Sequence, residues 1–333
     1  MTVGRHTASL AMRPLLLLCL CAALMLLGLA AARAQEAPTA VADYPQFGVV
    51  TAAVALNVRS CAARECEVIY TVPNGESLRV TGPAQNGWLP ISRDGAPGWA
   101  FHYFVQIGGA PAPVFERGLP GCKRVAFLFN LGVGYSTRTE VLDWMSAHAV
   151  PATMFPMGWW AETDPEALRK MHALGFPIAS HGDQRTELTK LGDQAISADI
   201  RAAADAIRAV IGEPPAPMFT PYAAATDPRV EQIIANEGYL PVGWDVPADD
   251  WDFNVTADHV FSKVMPNIED GSIVEFHLDA PATKESTAVA LPWIVERLRK
   301  DGYTIVPLTD LMMPCPAGKP ASAPSPVPTS VNG

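Results

Sequence analysis

The sequence predicts an α/β protein: a (β/α) barrel of about seven strands, preceded by a small all-β barrel. Three observations lead there. From Gly121 to Met313, short apolar runs alternate with segments whose apolar residues recur at helical spacing, the pattern of parallel β/α units. Between about Val49 and Gln106, several short strand-like runs are separated by turn signals, which suits a small β-barrel. Gly108 to Pro113 is a Gly/Ala/Pro stretch with the composition of a linker. The 333 residues, 49% of them hydrophobic, suffice to fill two cores.

At the N-terminus, Arg5 and Arg13 precede the apolar run Leu15 to Leu29, and Ala32-Arg33-Ala34 offers the small residues a signal peptidase needs. Residues 1–34 are expected to be a cleaved secretory leader, which leaves no stable membrane insertion; the alternative, a retained anchor, has a short run for a span. Removing Arg5, Arg13 and Arg33 takes the net charge from −10 to −13. That balance disfavours nucleic acid and anionic membrane as partners, and suits a neutral or weakly cationic ligand. Beyond the leader stand Cys61, Cys66, Cys122 and Cys315. In an oxidising compartment disulfides are the default, and Cys61–Cys66 with Cys122–Cys315 is favoured among the three pairings. Loop-closure entropy bounds their contributions at about 2 and 5 kcal/mol. A zinc site at these cysteines lacks a Cys-x-x-Cys pair or a neighbouring His.

The small domain is placed at 46–107. Val54-Ala55-Leu56-Asn57-Val58-Arg59 alternates, Pro73-Asn74-Gly75 is a tight turn, and Ser77-Leu78-Arg79-Val80 alternates again. Gly87-Trp88-Leu89-Pro90-Ile91 and Gly98-Trp99-Ala100 follow. These residues resemble the bacterial SH3-like domain, which implies cell-wall or peptide binding, or else a spacer role without a ligand. A linker at 108–119 leads to the large domain, 120–313. Strands are expected at Arg124–Phe129, Ala152–Phe155, Pro177–Ser180, Pro217–Thr220, Leu240–Trp244, Ser272–His277 and Thr304–Val306. Helices are expected at Thr137–His148, Pro165–Leu174, Ala195–Ile211, Pro228–Glu237, Ala257–Met265 and Glu285–Lys300. Residues 314–333 form a Pro/Ala/Ser tail expected to be disordered. In such barrels the working face is the C-terminal end of the strands, which singles out Asn130, His181, Tyr222, Asp245 and His277.

Five segments, in order, carry a resemblance to the polysaccharide deacetylases, the NodB-homology carbohydrate esterases with a distorted TIM-like barrel. They are VLDWMSAHAVPATMFPMGWWAE, GFPIASHGDQRTELTKL, APMFTPYAAATDPRV, GYLPVGWDVPADDW and GSIVEFHLDAPATKESTAVALPWIVERLRKDGYTIVPLTDLM. The resemblance implies a divalent metal that polarises an N-acetyl carbonyl and activates water, with a carboxylate as base. The motifs are degenerate. Asn130 and Leu131 stand where the family has its base and a metal-ligating Asp. His181 keeps one histidine ligand and Arg185 replaces the other. Phe219 stands for the motif Arg, and Pro247 for the first Asp of Asp-x-x-Asp-Trp; Asp250 and Trp251 end that motif. Glu275 replaces the apolar residue of Leu-x-His, and His277 keeps the histidine.

Asn130, Asp250 and His277 are thus catalytic remnants. The ligand pocket is expected to comprise Asn130, His181, Asp183, Arg185, Tyr222, Trp244, Asp245, Glu275 and His277. No metal or other cofactor is expected; zinc is expected only if a new set such as His181, Asp183 and His277 assembles. Arg185 and Glu275 are expected to form an internal ion pair, with His277 close by. Trp159-Trp160 reads either as sugar-stacking surface or as packing, and Asn254-Val255-Thr256 fits a glycosylation sequon. Three functions compete: an exported, envelope-associated protein that binds an N-acetylated glycan or peptidoglycan without catalysis; an active carbohydrate N-deacetylase or esterase with a rearranged metal site; and a structural envelope protein.

Overall fold

A computed structural model describes residues 44–52, 54–108, 110–134, 137–313 and 315. The expected leader, and the tail beyond Cys315, lie outside the described residues. No helix among the described residues is long and apolar enough to cross a membrane.

The small domain is an antiparallel sheet of seven strands: β1 (Gln46–Val50), β2 (Ala55–Arg59), β3 (Val68–Pro73), β4 (Ser77–Val80), β5 (Trp88–Arg93), β6 (Ala96–Phe101) and β7 (Val105–Ile107). They pair in the order β3-β2-β6-β5-β4-β1-β7. Alternation along the strands puts Leu56, Val58, Val72, Leu78, Val80 and Ile91 inside. The Cys61–Cys66 disulfide closes the loop after β2, with the two Cα atoms 5.7 Å apart.

The large domain is built on β8 (Arg124–Leu131), all eight of whose residues are buried. A strand buried on both faces reads as a continuous apolar run, as a central parallel strand requires. β13 (Ile273–His277) lies on one side of β8, in a register that sets His277 opposite Asn130. On the other side, β14 (Thr304–Ile305) pairs with the start of β8 and β9 (Thr153–Pro156) with its end. β12 (Val246–Pro247) extends the sheet beyond β13, and β10 (Met218–Phe219) pairs with β11 (Leu240–Pro241); every one of these pairings is parallel. The expected strand at 177–180 forms single bridges only, Met154 to Ile178 and Ser180 to Phe219. It begins at a proline, which has no N–H to give to a ladder.

The connecting helices are α1 (Thr139–Ala147), α2 (Gly158–Thr163), α3 (Pro165–Ala173), α4 (Asp193–Ile211), α5 (Pro228–Asn236), α6 (Ala257–Val264), α7 (Thr287–Lys300) and α8 (Leu308–Leu311). Asp164, Asp227 and Thr256 cap α3, α5 and α6 by accepting the N–H groups of Ala167, Val230 and His259. α4 turns Ile196, Ile200, Ala203 and Ile207 inward and stops at Gly212, whose φ of 83° suits the residue after a helix.

The two domains pack together. One apolar cluster joins Trp88 and Phe101 of the small domain to Phe115, Ala126, Leu128, Leu308 and Leu311. Tyr103 meets Phe115 edge-on, with ring centroids 5.3 Å apart. Phe115 is fully buried and bridges to Val242, so the stretch read as a linker is fixed onto the barrel. Cys122 and Cys315 form the second disulfide, with a Cα–Cα distance of 5.8 Å.

Candidate functional site

β8 ends at Asn130-Leu131, and the chain turns at Gly132 with φ of 137°. A Cβ there would lie 2.4 Å from the Met157 sulfur, so the corner needs glycine. The buried Asp279 holds this corner by accepting N–H bonds from Gly132 (2.8 Å) and Gly134 (3.0 Å). Above the corner opens a pocket of about 490 Å³.

Its floor is one hydrogen-bonded chain. Asp250, fully buried, accepts from the backbone N–H of His277 (3.0 Å), from His277 Nδ1 (2.8 Å) and from the Thr287 hydroxyl. His277 Nε2 reaches Glu275 Oε1 at 3.1 Å. The same oxygen accepts from Asn130 Nδ2 (3.2 Å). Thr220 donates its hydroxyl proton to Asn130 Oδ1 (2.8 Å). His181 Nδ1 lies 2.8 Å from both the carbonyl and the hydroxyl oxygen of Thr220.

Proton positions follow from this wiring. The Thr220 hydroxyl has one proton, already given to Asn130, and its carbonyl only accepts. His181 Nδ1 must therefore carry the hydrogen, leaving Nε2 as a lone pair. A flipped Asn130 amide would set its oxygen against the Glu275 carboxylate, so the amide orientation is fixed as well. Burial pushes the His181 pKa down to about 3; the Thr220 carbonyl opposes this and the nearby His277 adds to it. Burial also acts against a charged His277, but the carboxylates of Glu275 and Asp250 outweigh it and push its pKa up to about 9. The Glu275 carboxyl is raised by burial, against the pull of His277. Its Oε1 accepts from both Asn130 Nδ2 and His277 Nε2.

Of the residues expected from sequence, Asn130, His181, Arg185 and Tyr222 line the pocket together with Trp244, Glu275 and His277. Asp183 and Asp245 lie elsewhere. The Asp183 carboxylate abuts Gly158 at the start of α2 and accepts from Gln184 Nε2 (2.7 Å). Asp245 accepts from the Ser272 hydroxyl (2.8 Å) and the Ile273 N–H (2.7 Å), at the start of β13 rather than its end. The expected ion pair between Arg185 and Glu275 is not formed among the described residues. Arg185 donates instead from Nε to the Gly132 carbonyl and from Nη2 to the Val133 carbonyl (2.7 Å), and its guanidinium lies 4.4 Å over the Trp159 ring. Glu275 finds His277 and Asn130, which are nearer along the sheet. Of the tryptophan pair, Trp160 is fully buried and Trp159 supports Arg185.

Sequence reasoning missed Thr220, Thr287 and Asp279. A threonine directly after a strand, before Pro221, was the signal for the first. The other two had none beyond their place near the closing motif. Asp249 and Trp251 also line the pocket; Asp249 pairs with Lys263 (2.6 Å), and the Trp251 ring is exposed.

The residues do not fit the family's divalent metal. Leu131 has no donor atom and is buried in the main core. Arg185 brings a cation that is itself bonded to two carbonyls. Both ring nitrogens of His277 are engaged, and Asp183 points away. Among the described residues, no group of three or more His, Cys, Asp or Glu side chains suits a metal ion.

Comparison with known proteins agrees with this architecture. Residues 117–242 match the polysaccharide deacetylase family and residues 54–106 the bacterial SH3 domain. A chitooligosaccharide deacetylase of Bradyrhizobium sp. is 29% identical over 202 residues, 57% of this chain and 91% of that protein. A peptidoglycan-N-acetylglucosamine deacetylase of Listeria monocytogenes is 30% identical over 236 residues, 67% of this chain; the chain spans 48% of that protein's length. Among solved structures, a CE4 family pseudoenzyme from Bacillus anthracis superposes with a TM-score of 0.55 at 23% identity, over 61% of this chain and 69% of that one, a likeness of fold alone. The chain carries a polysaccharide deacetylase domain, a distorted β/α barrel, preceded by a bacterial SH3 domain.

Proposed function

We propose that this protein binds a glycan of the cell envelope, peptidoglycan or a related polymer of N-acetylglucosamine, in the barrel pocket without metal-dependent deacetylation. The observation that carries this reading is the fate of the metal positions: Leu131 is packed into the core, and Arg185 is tied to the Gly132 and Val133 carbonyls and stacked on Trp159. Neither position has a donor for a cation. The pocket nonetheless stays open, with Tyr222, Trp244 and Trp251 on its walls. Aromatic rings of this kind offer apolar faces on which sugar rings stack. The SH3 domain supplies a second contact, and two linked weak sites gain avidity. Two disulfides, together with the expected leader, support export to an oxidising compartment.

The test is titration of the protein with N-acetylglucosamine oligomers and soluble peptidoglycan fragments, alongside an acetate-release assay with and without zinc. Saturable binding with no acetate is expected. Zinc-dependent acetate release would favour the hydrolase, and absence of any glycan binding would favour a structural protein.

A further inference from the structure

We propose that the pocket floor binds the free ammonium group of a de-N-acetylated amino sugar in preference to the acetamido group of an acetylated one. This rests on the glycan-binding reading above and specifies which sugar seats at the bottom.

Both N–H groups of His277 are committed, to Asp250 and Glu275. Asn130 spends its amide on Glu275 and its oxygen on Thr220, and at 1% exposure it turns almost no surface to the pocket. The Thr220 hydroxyl proton is used, and the His181 Nδ1 hydrogen faces Thr220. The backbone N–H groups of Gly132 and Gly134, at the corner after β8, are taken by Asp279.

Two acceptors remain on these side chains: Glu275 Oε2 and the lone pair on His181 Nε2. Both side chains line the pocket, and both residues are more than nine-tenths buried, at 5% and 6% exposure. Arg185 and Tyr222 bring donors to the same pocket; Arg185 has Nε and Nη2 on backbone carbonyls and its plane over Trp159.

An acetamido group brings a carbonyl oxygen. In a metal-dependent deacetylase that oxygen meets a cation. At Glu275 and His181 it would meet two acceptors, and it would lose its water on entering. An ammonium group brings three N–H donors and a positive charge, and charge-assisted bonds to a buried carboxylate are the stronger kind. The acidic balance of the chain, −10 overall, favours the same ligand.

The experiment is calorimetric titration of the full chain, in chelator, with a glucosamine trimer and an N-acetylglucosamine trimer, at a pH where the amines are protonated. The glucosamine trimer is expected to bind about tenfold more tightly or better, and Glu275→Gln is expected to abolish the preference. Equal or tighter binding of the acetylated trimer would overturn the inference and leave glycan binding standing; failure of both to bind would overturn both. A preference that survives in Glu275→Gln, or equal competition by a lysine trimer on the unaltered protein, would also overturn it, by showing general attraction of polycations. The lysine competition carries the specificity test if the variant does not fold.

Discussion

His181 and His277 belong to one hydrogen-bonded chain and are almost equally buried, yet one is held neutral and the other charged. Exposure is 6% for one and 7% for the other, yet burial carries the first down to about 3 while the second is pushed up to about 9. The difference lies in the partners. His181 sees a carbonyl and a hydroxyl; His277 lies between two carboxylates. Burial sets the size of the penalty for charge, and the nature of the partner decides whether the charge survives it. At the His277 end every ring nitrogen is bonded, while beside His181 neither Leu131 nor Arg185 offers a lone pair to a cation.

The largest effect is expected from restoring the family's residues at the His181 end. In the triple variant Asn130→Asp, Leu131→Asp and Arg185→His, a carboxylate replaces a core leucine. Without metal this is expected to lower the melting temperature sharply, because an unpaired charge is buried. Zinc should bring the temperature back up. A triple variant indifferent to zinc would break the comparison, since it would mean that the missing ligands are not what separates the two ends.

Removing the partner at the His277 end comes next. Asp250→Ala leaves the His277 Nδ1–H, its backbone N–H and the Thr287 hydroxyl without their acceptor, and is expected to cost about 3–5 kcal/mol in denaturant unfolding. A cost below about 1 kcal/mol, the scale of an exposed pair, would contradict the wiring described.

The third effect is a pH dependence with two opposite flanks. His181 has a folded pKa of about 3, below the ordinary value of 6.5. Its contribution to stability is therefore complete above about pH 6.5 and is lost as pH falls toward 3. His277 has a folded pKa of about 9, above 6.5, so its contribution is complete below about 6.5 and is lost as pH rises through 9. Subtracting the stability curve of His181→Asn from that of the parent should isolate the acid flank. A difference that does not vary between pH 3 and 6.5 would show that His181 is not held neutral by the fold.

Much of this was legible in the sequence. The apolar run of β8, the helical spacing in α4, the two disulfides and the substitutions at Asn130, Leu131 and Arg185 are local facts, set by residue type and order. The side-chain partners were not. Whether Arg185 reaches Glu275 or the Gly132 carbonyl depends on the path of the loop after His181, and that path is fixed by long-range bonds such as those from the Asp183 and Gln184 N–H groups to Asp199. Asp245 looked like a strand-end acid; its carboxylate instead holds Ser272 and Ile273 at the foot of the neighbouring strand. Thr220 and Thr287 became visible only once the barrel had brought them beside Asn130 and Asp250.

The central claim is that the pocket holds glycan without using a metal to cleave it. It is tested most directly by titrating the chelator-treated protein with a partially deacetylated N-acetylglucosamine oligomer, then repeating with zinc and weighing the recovered oligomer by mass spectrometry. The account predicts saturable heat in both titrations and an oligomer of unchanged mass. Heat that appears only with zinc, or an oligomer lighter by acetyl groups, would contradict it.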